Sequence, residues 1–389
     1  MRLLLGRESW WCLHASKIAQ MPMEAVAIDE RNTYRIMDEA KLALERGGFF
    51  HAKAPDTYSV TVLTDTGCNL GCSYCFQNVG DDQKPTFAPN RIPNLRLTER
   101  VIDGISTFVA RRMQEAQLEK VKFLLFGGEP LLSSEACITL LERVQAIGMT
   151  SAAMVSNGTL LTPELAARLV QAGLRGIQIT FDGDRTTHDE IRVTRNGRGT
   201  FDQIVANVAA VSDVVDMQWL FRINVSHHNL RTVTRLLDHL SREVDSTTAA
   251  VNIALVDDVG IGYENHLRFD DRLATELVSL YRHALEFGFS VRPPKAGFWC
   301  DFCSLEGGAR GAVINADGTL YSCWETVGRR DLDVGDVWRG YRPPEDLTPR
   351  WHSCNYLSAE HGTPQQAQRF HDQVDAALLD ELSARGKLN

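Results

Sequence analysis

The chain has 389 residues, of which 44% are hydrophobic and 23% charged, and a formal net charge of −9. That length and apolar content can bury a large core, and the acidic balance argues against a nucleic-acid partner, whose phosphates need a basic face. No apolar run of about 18 residues marks a membrane span, and Met1-Arg2-Leu3-Leu4-Leu5-Gly6-Arg7-Glu8 breaks too early for a signal peptide, so a cytoplasmic protein that is neither exported nor membrane-inserted is expected.

Residues 1–57 form an N-terminal extension with Trp10-Trp11 and a helix expected from Tyr34 to Arg46, before Gly47-Gly48. It reads either as a short peptide-binding element or, more plainly, as packing that covers the open edge of a sheet. A strand follows at 58–65 and runs into Cys68-Asn69-Leu70-Gly71-Cys72-Ser73-Tyr74-Cys75. Three thiolates can hold three irons of a cuboidal iron-sulfur cluster and leave the fourth iron open to an outside ligand, whereas electron-transfer clusters take four. A zinc loop would pair this with a second CxxC or two histidines, and none follows before Cys137.

A helix at 98–119 leads to the buried strand 121–126, which ends in Gly127-Gly128-Glu129-Pro130. Glycines at the carboxyl end of a strand let backbone approach a ligand, and the carboxylate can pair with an amine. Helix 133–147 and strand 151–155 come next, closed by Ser156-Asn157-Gly158-Thr159, with Thr162 capping and Pro163 opening a helix at 162–173. Strand 176–181 ends in Thr180-Phe181-Asp182-Gly183, and His188-Asp189 and Arg192 follow; read plainly, Asp182 is a turn cap and Arg192 part of a salt bridge. Thr200 and Gln203 offer a capping box for a helix at 201–214. Strands at 218–226 and 249–255 with helices at 229–241 and 270–287 complete six β-α repeats, an α/β chain whose parallel sheet curls into a partial barrel.

The remaining cysteines gather late in the chain. Cys300 and Cys303 form a CxxC, a hairpin over 311–322 turns through Ala316-Asp317-Gly318 and ends in Cys323, and Cys354 stands beyond it. Four such thiols suit either zinc or an iron-sulfur cluster. Cys137 lies in an apolar helical pattern and belongs to the core, while Cys12, near the terminus, is expected to be partly exposed. Nine cysteines in cluster-like spacings favour a reducing compartment over disulfides.

Over residues 58–260 these motifs, in this order, resemble the radical S-adenosylmethionine (SAM) superfamily, whose signature CxxxCxΦC carries an aromatic at Φ, here Tyr74. The resemblance implies a (β/α)6 partial TIM barrel in which Cys68, Cys72 and Cys75 hold a SAM-binding 4Fe-4S cluster. It implies contacts to the SAM amine by Gly127, Gly128, Glu129 and Pro130, to the ribose by Ser156 and Asn157, and to ribose or carboxylate by Thr180, Asp182 and Arg192. Thr180 and Phe181 depart from the usual serine and leucine. The distal cysteines resemble a SPASM or twitch extension. The fuller CxxCxxxxxCxxxC run is missing after Cys323, so Cys300, Cys303, Cys323 and Cys354 are expected to hold one auxiliary 4Fe-4S cluster, with zinc as the alternative.

Domains are accordingly expected at 1–57, 58–290 and 291–389, the last closing with a helix at 364–385. The implied activity is reductive cleavage of SAM to a 5′-deoxyadenosyl radical that abstracts hydrogen from a ribosomally made precursor peptide, with a flavodoxin- or ferredoxin-type electron donor. A cross-link, thioether, epimer or oxidised residue would result. The alternatives are dehydrogenation of a small-molecule alcohol, oxidation of a sulfatase-type Ser or Cys, and a non-catalytic iron-sulfur or zinc scaffold. An oxidation would need a base, for which Asp257, Asp258 and Asp301 are candidates, although carboxylates on loops are commonly only solvated. Arg185, Arg192, Arg195 and Arg198 form a basic stretch that reads as a solvated loop, a partner for the SAM carboxylate or an attractor for an acidic peptide.

Overall fold

A computed structural model describes residues 1–30, 33–51, 56–75, 93–256, 264–297, 303, 306–353 and 363–388. The N-terminal part forms an antiparallel sheet of β1 (Arg2–Leu5), β2 (Trp10–His14) and β3 (Lys17–Met21), then the pair β4 (Val26–Ile28) and β5 (Tyr34–Ile36), then helix α1 (Asp38–Arg46). The helix therefore starts four residues later than expected, because Tyr34–Ile36 pairs with Val26–Ile28 instead.

The repeating part follows as β6 (Thr57–Asp65), α2 (Glu99–Glu115), β7 (Lys120–Gly127), α3 (Ser134–Gln145), β8 (Met149–Ser156), α4 (Pro163–Gln171) and β9 (Leu174–Phe181). After it come α5 (Arg185–Ile191), α6 (Phe201–Ser212), β10 (Gln218–Val225), α7 (Val233–Glu243), β11 (Ala249–Leu255), α8 (Asp271–Glu286) and the short β12 (Ser290–Val291). Each strand from β6 to β12 pairs in parallel with its successor, as right-handed crossovers require. Their helix-facing side chains, among them Val60, Phe123, Met154, Ile179 and Phe221, pack with Phe108, Leu141, Leu169, Ile204 and Leu237 into one core.

The sheet does not stop at the repeats. Strand β13 (Gly311–Ile314) pairs in parallel with β6, and β14 (Thr319–Tyr321), β15 (Asp333–Asp336) and β16 (Gly340–Tyr341) continue it antiparallel, giving eleven strands in the order β12-β11-β10-β9-β8-β7-β6-β13-β14-β15-β16. Helices α9 (Pro344–Leu347) and α10 (Pro364–Ala384) close the chain. The capping box expected at Thr200 is not formed: the Thr200 hydroxyl donates to the Arg192 carbonyl and Asp189 takes the first amides of α6 instead. One forms at α10, between Thr363 and Gln366. Among the described residues no helix is long and apolar enough to cross a membrane.

The N-terminal sheet is fastened to α10, which packs on α8. Leu4, Trp11 and Leu13 meet Ala376 and Leu379, while Arg2 Nε lies 2.6 Å from Asp372 Oδ1 and Nη1 2.6 Å from Asp375 Oδ2. Cys12 faces the interior with no exposure, correcting the expectation of a partly exposed thiol, because β2 is the middle strand. Burial raises the Asp375 carboxyl to about 6, with Arg2 pulling the other way. A carboxyl that binds its proton more tightly folded than unfolded stabilises the fold at low pH and loses that contribution as pH rises through the folded value. Asp375→Asn removes this titration, so its stability should gain on wild type, by on the order of 3 kcal/mol, between about pH 4 and pH 6.5; denaturant melts across that range measure it.

Candidate active site

Strand β6 delivers the chain to the cysteine loop through Asp65, a carboxylate with 1% exposure. Its Oδ1 accepts from the Gly67 amide at 2.8 Å, and Oδ2 accepts from Ser133 Oγ at 2.7 Å and faces Arg96 Nε at 3.4 Å. The neighbouring strand β7 ends against the same backbone: the Gly128 amide donates to Asp65 O and the Glu129 amide to Gly67 O, both at 2.8 Å. A Cβ on Gly127, whose φ is +135°, would lie 2.2 Å from Asp65 O, and one on Gly128 2.2 Å from Gly67 O. What these glycines visibly admit is the chain's own loop.

Cys68 is tied sideways as well. The Leu70 amide donates to its Sγ at 3.4 Å, Arg195 Nε to its carbonyl at 2.9 Å, and Asn69 exchanges hydrogen bonds with Asn157 and Thr159 at 2.8 Å each. Cys72 is buried, Cys75 half-buried, and the Cys75 amide donates to Cys72 O. Burial, with the Glu129 carboxylate adding to it, pushes the Cys68 thiol up to about 11, and burial raises Cys72 against the pull of Arg192. Thiols in such surroundings become ligands once a metal supplies positive charge. Among the described residues no three His, Cys, Asp or Glu side chains are placed to hold a single metal ion. A cuboidal cluster asks for something else, since each thiolate binds its own iron.

Glu129, with no exposure, caps the turn that Pro130 opens before α3. Its Oε1 accepts from the Leu131 amide at 3.0 Å and Ser156 Oγ at 2.8 Å, and Oε2 from the Asn157 amide at 2.7 Å. Every partner is a donor, which fixes the group as an acceptor although burial raises its pKa. Oε2 keeps room for one more donor.

A second buried network joins β9, β10 and the end of α5. Tyr74 donates to both oxygens of Asp182 at 2.8 Å and accepts from Arg192 Nη1 at 3.0 Å and Asn224 Nδ2 at 2.9 Å. Arg192 Nη1 also lies 3.4 Å from Asp182 Oδ2, and its buried Nε has no hydrogen-bond partner. Burial raises the Asp182 carboxyl against the pull of Arg192, while Arg192, although burial opposes its charge, is held well above its usual value by Cys72, Tyr74 and Asp182. Behind them His188 is kept neutral, its pKa well below the usual value through burial and then Arg192. Because His188 Nδ1 accepts from the Asp182 amide at 3.3 Å, Nε2 carries the proton and donates to Thr200 Oγ1 at 3.2 Å, which in turn donates to Arg192 O at 2.7 Å. Asp65, His188, Thr200 and Asn224 were not singled out as site residues in the sequence. Asn224 stands at the carboxyl end of β10, as Asp182 follows β9, and that position was the available signal.

At the distal end Cys303 and Cys323 are both buried and pack together with Trp324. The Cys303 carbonyl accepts from Trp351 Nε1 at 2.9 Å and Ser353 Oγ at 2.8 Å, so the residue before Cys354 is bonded to this pair. Cys300, Cys354, Asp257, Asp258 and Asp301 lie outside the described residues. Thr180 is buried at the end of β9; Arg185 pairs with Asp202, and Arg195 is spent on the cysteine loop.

Residues 62–240 match the model of the radical SAM superfamily. That stretch is a radical SAM domain. A chain that carries it is an enzyme, and the radical SAM family uses SAM and a 4Fe-4S cluster. It is 26% identical over 324 residues to the AdoMet-dependent heme synthase of Methanosarcina barkeri, covering 75% of this chain and 86% of that one. It is 27% identical over 278 residues to a GTP 3′,8-cyclase of Xanthomonas campestris pv. campestris, covering 66% and 75%. Its fold is similar to that of native anSMEcpe with bound AdoMet and Cp18Cys peptide, at a TM-score of 0.64 and 15% identity over 86% of this chain and 100% of the other. Streptococcus suis SuiB bound to S-adenosylmethionine gives a TM-score of 0.51 and 13% identity over 90% of each chain.

Tyr74→Phe keeps the ring and removes the hydroxyl that three buried polar side chains share. A loss of about 1–3 kcal/mol in chemical denaturation is expected, and Asn224→Ala made on top of it should add less than it does alone. Full additivity would show that the four groups are not one network.

Proposed function

We propose that this radical SAM enzyme modifies a peptide, with Cys68, Cys72 and Cys75 holding the SAM-binding cluster and Cys300, Cys303, Cys323 and Cys354 an auxiliary 4Fe-4S cluster. The observation that supports a peptide substrate is the likeness in fold, over 86% of this chain, to a maturase solved with a peptide bound. When bound, the cluster supplies one electron to SAM and yields methionine and a 5′-deoxyadenosyl radical that takes hydrogen from the substrate.

The chain's own residues bind and orient. Glu129 Oε2, with one position left for a donor, suits the SAM ammonium, and the orphaned buried Nε of Arg192 suits an oxygen of its carboxylate or ribose. Asp182, braced by Tyr74, suits a ribose hydroxyl; Ser156, Asn157 and Thr180 line the same strand ends, and Gly127 to Pro130 set the position of Glu129. At the second site the packed Cys303 and Cys323, with Ser353 holding the approach to Cys354, fit a shared metal centre. A flavodoxin- or ferredoxin-type protein in a reducing cytoplasm is the proposed electron source.

A small-molecule substrate is the second reading, favoured by the heme synthase and GTP cyclase names of the sequence relatives. Mass spectrometry of a short peptide encoded beside the gene and co-expressed with the enzyme separates the two. Loss of about two hydrogens, abolished by Cys72→Ala, is the expected result for a radical oxidation or cross-link. No change in mass or stereochemistry in any neighbouring peptide would sink the peptide reading.

Anaerobic reconstitution tests the cofactors. About eight irons and eight sulfides per chain are expected, about four in Cys72→Ala and about four in Cys323→Ala, with 5′-deoxyadenosine lost only in the former. One zinc beside about four irons would remove the auxiliary cluster.

A further inference from the structure

Outside the SAM site the described surface carries a cavity of about 310 Å³ at the carboxyl rim of the sheet, between the start of α2 and the turn joining β13 to β14. Leu95, Arg96, Thr98, Arg100, Val101 and Trp338 form its walls. None of them belongs to the network around Glu129 or Asp182.

Three features show that it is built rather than incidental. Trp338 is 46% exposed, yet it is held in place: a Cβ on Gly104 of α2 would lie 3.0 Å from its Nε1, and one on Gly318 of the turn 2.9 Å from its Cη2. Two glycines on separate elements thus let the indole lie flat with one face outward. Arg100 Cζ stands 5.3 Å from the ring centroid, a cation–π distance that holds the guanidinium at the cavity, and among the described residues no carboxylate is within ion-pair distance of it. Thr98, Arg100 and Val101 bring the first turn of α2, a helix of 17 residues, into the wall.

The lining has a net positive sign. Arg96 and Arg100 outnumber the one lining acid, Asp317, and of the two it is Arg100 that has no carboxylate partner among the described residues, since Arg96 faces Asp65 at 3.4 Å. Leu95, Val101 and the indole supply apolar walls next to that charge. A carboxylate carried on a short apolar stem matches both, whereas a bare anion would use only the charge. Arg96 also reaches Asp65, the residue that holds Gly67 of the cysteine loop, so an occupant of this cavity lies one side chain away from the loop.

We infer that this cavity is an anchoring site for an acidic side chain, Glu or Asp, of the peptide substrate, remote from the residue that reacts. The ligand class rests on the peptide reading above. Binding energy gained away from the reacting atoms positions the substrate for the step. A segment extended from the cavity past Asp65 would approach the strand ends that carry Glu129 and Asp182.

The test uses the reconstituted full chain labelled with 5-fluorotryptophan, the Trp338 signal being assigned by Trp338→Phe. In fluorine NMR, N-acetyl-Gly-Glu-Gly amide should shift the Trp338 resonance saturably, and the Gln analogue should need about tenfold more. Arg100→Gln should weaken the Glu peptide about tenfold with iron content unchanged, and Arg100→Lys, which keeps the charge over the ring, should restore most of it. An equal response to the Gln peptide, an equal response to inorganic phosphate, or no shift up to about 50 mM overturns the site. Failure of the two readings is distinguishable: a Trp338 response without any peptide modification leaves the site and removes the peptide reading, and modification without the response does the reverse.

Discussion

Two backbone hydrogen bonds, from the amides of Gly128 and Glu129 to the carbonyls of Asp65 and Gly67, are the constraint on which the site depends. They require two strands to end at contact distance, and at that distance no side chain fits on either glycine. From this seam the cysteine loop departs in one direction and the Glu129 carboxylate in the other. The positions of the first thiol and of the proposed amine-binding oxygen are therefore set by one piece of geometry, and an error of a methyl group at Gly128 would move both.

The second half of the site is electrostatic. An arginine and an aspartate are buried together, at a desolvation cost that their attraction repays only when the remaining hydrogen-bonding positions are filled. Tyr74 bonds both ions and is itself held by Asn224 Nδ2. Neutral His188 holds the Asp182 amide on one side and, through Thr200, the Arg192 carbonyl on the other, so neither ion depends on solvent for its place. Arg192 Nε, a buried donor without a hydrogen-bond partner among the described residues, lies in this network.

Much of this was legible in the sequence because the signals were local. Apolar runs such as Phe123 to Phe126 make strands that bury one face and half-bury the other, Thr162-Pro163 caps a helix, and Cys68, Cys72, Cys75 and Glu129 stand at spacings tied to chemistry. What was missed acts across distance. The Thr200 capping box does not form because Asp189, on the preceding helix, takes the Thr200 amide that Gln203 would have held and the Thr200 hydroxyl bonds the Arg192 carbonyl, and nothing near Thr200 announces either. The pairing of β13 with β6 joins residues some 250 positions apart, which leaves no mark in either strand. Trp11 and Arg2 show their purpose only once α10 is beside them.

That distant pairing carries a mechanical consequence. Gly311 to Ile314 run in register with Ser59 to Val62, three residues upstream of Asp65, while the far strand of the same hairpin leads directly into Cys323. Cys68 and Cys323 thus follow opposite ends of one hydrogen-bonded ladder. A chain built this way keeps the loops that carry these two thiols at a fixed spacing. Any substrate must be brought to that spacing, since the spacing will not adjust to the substrate.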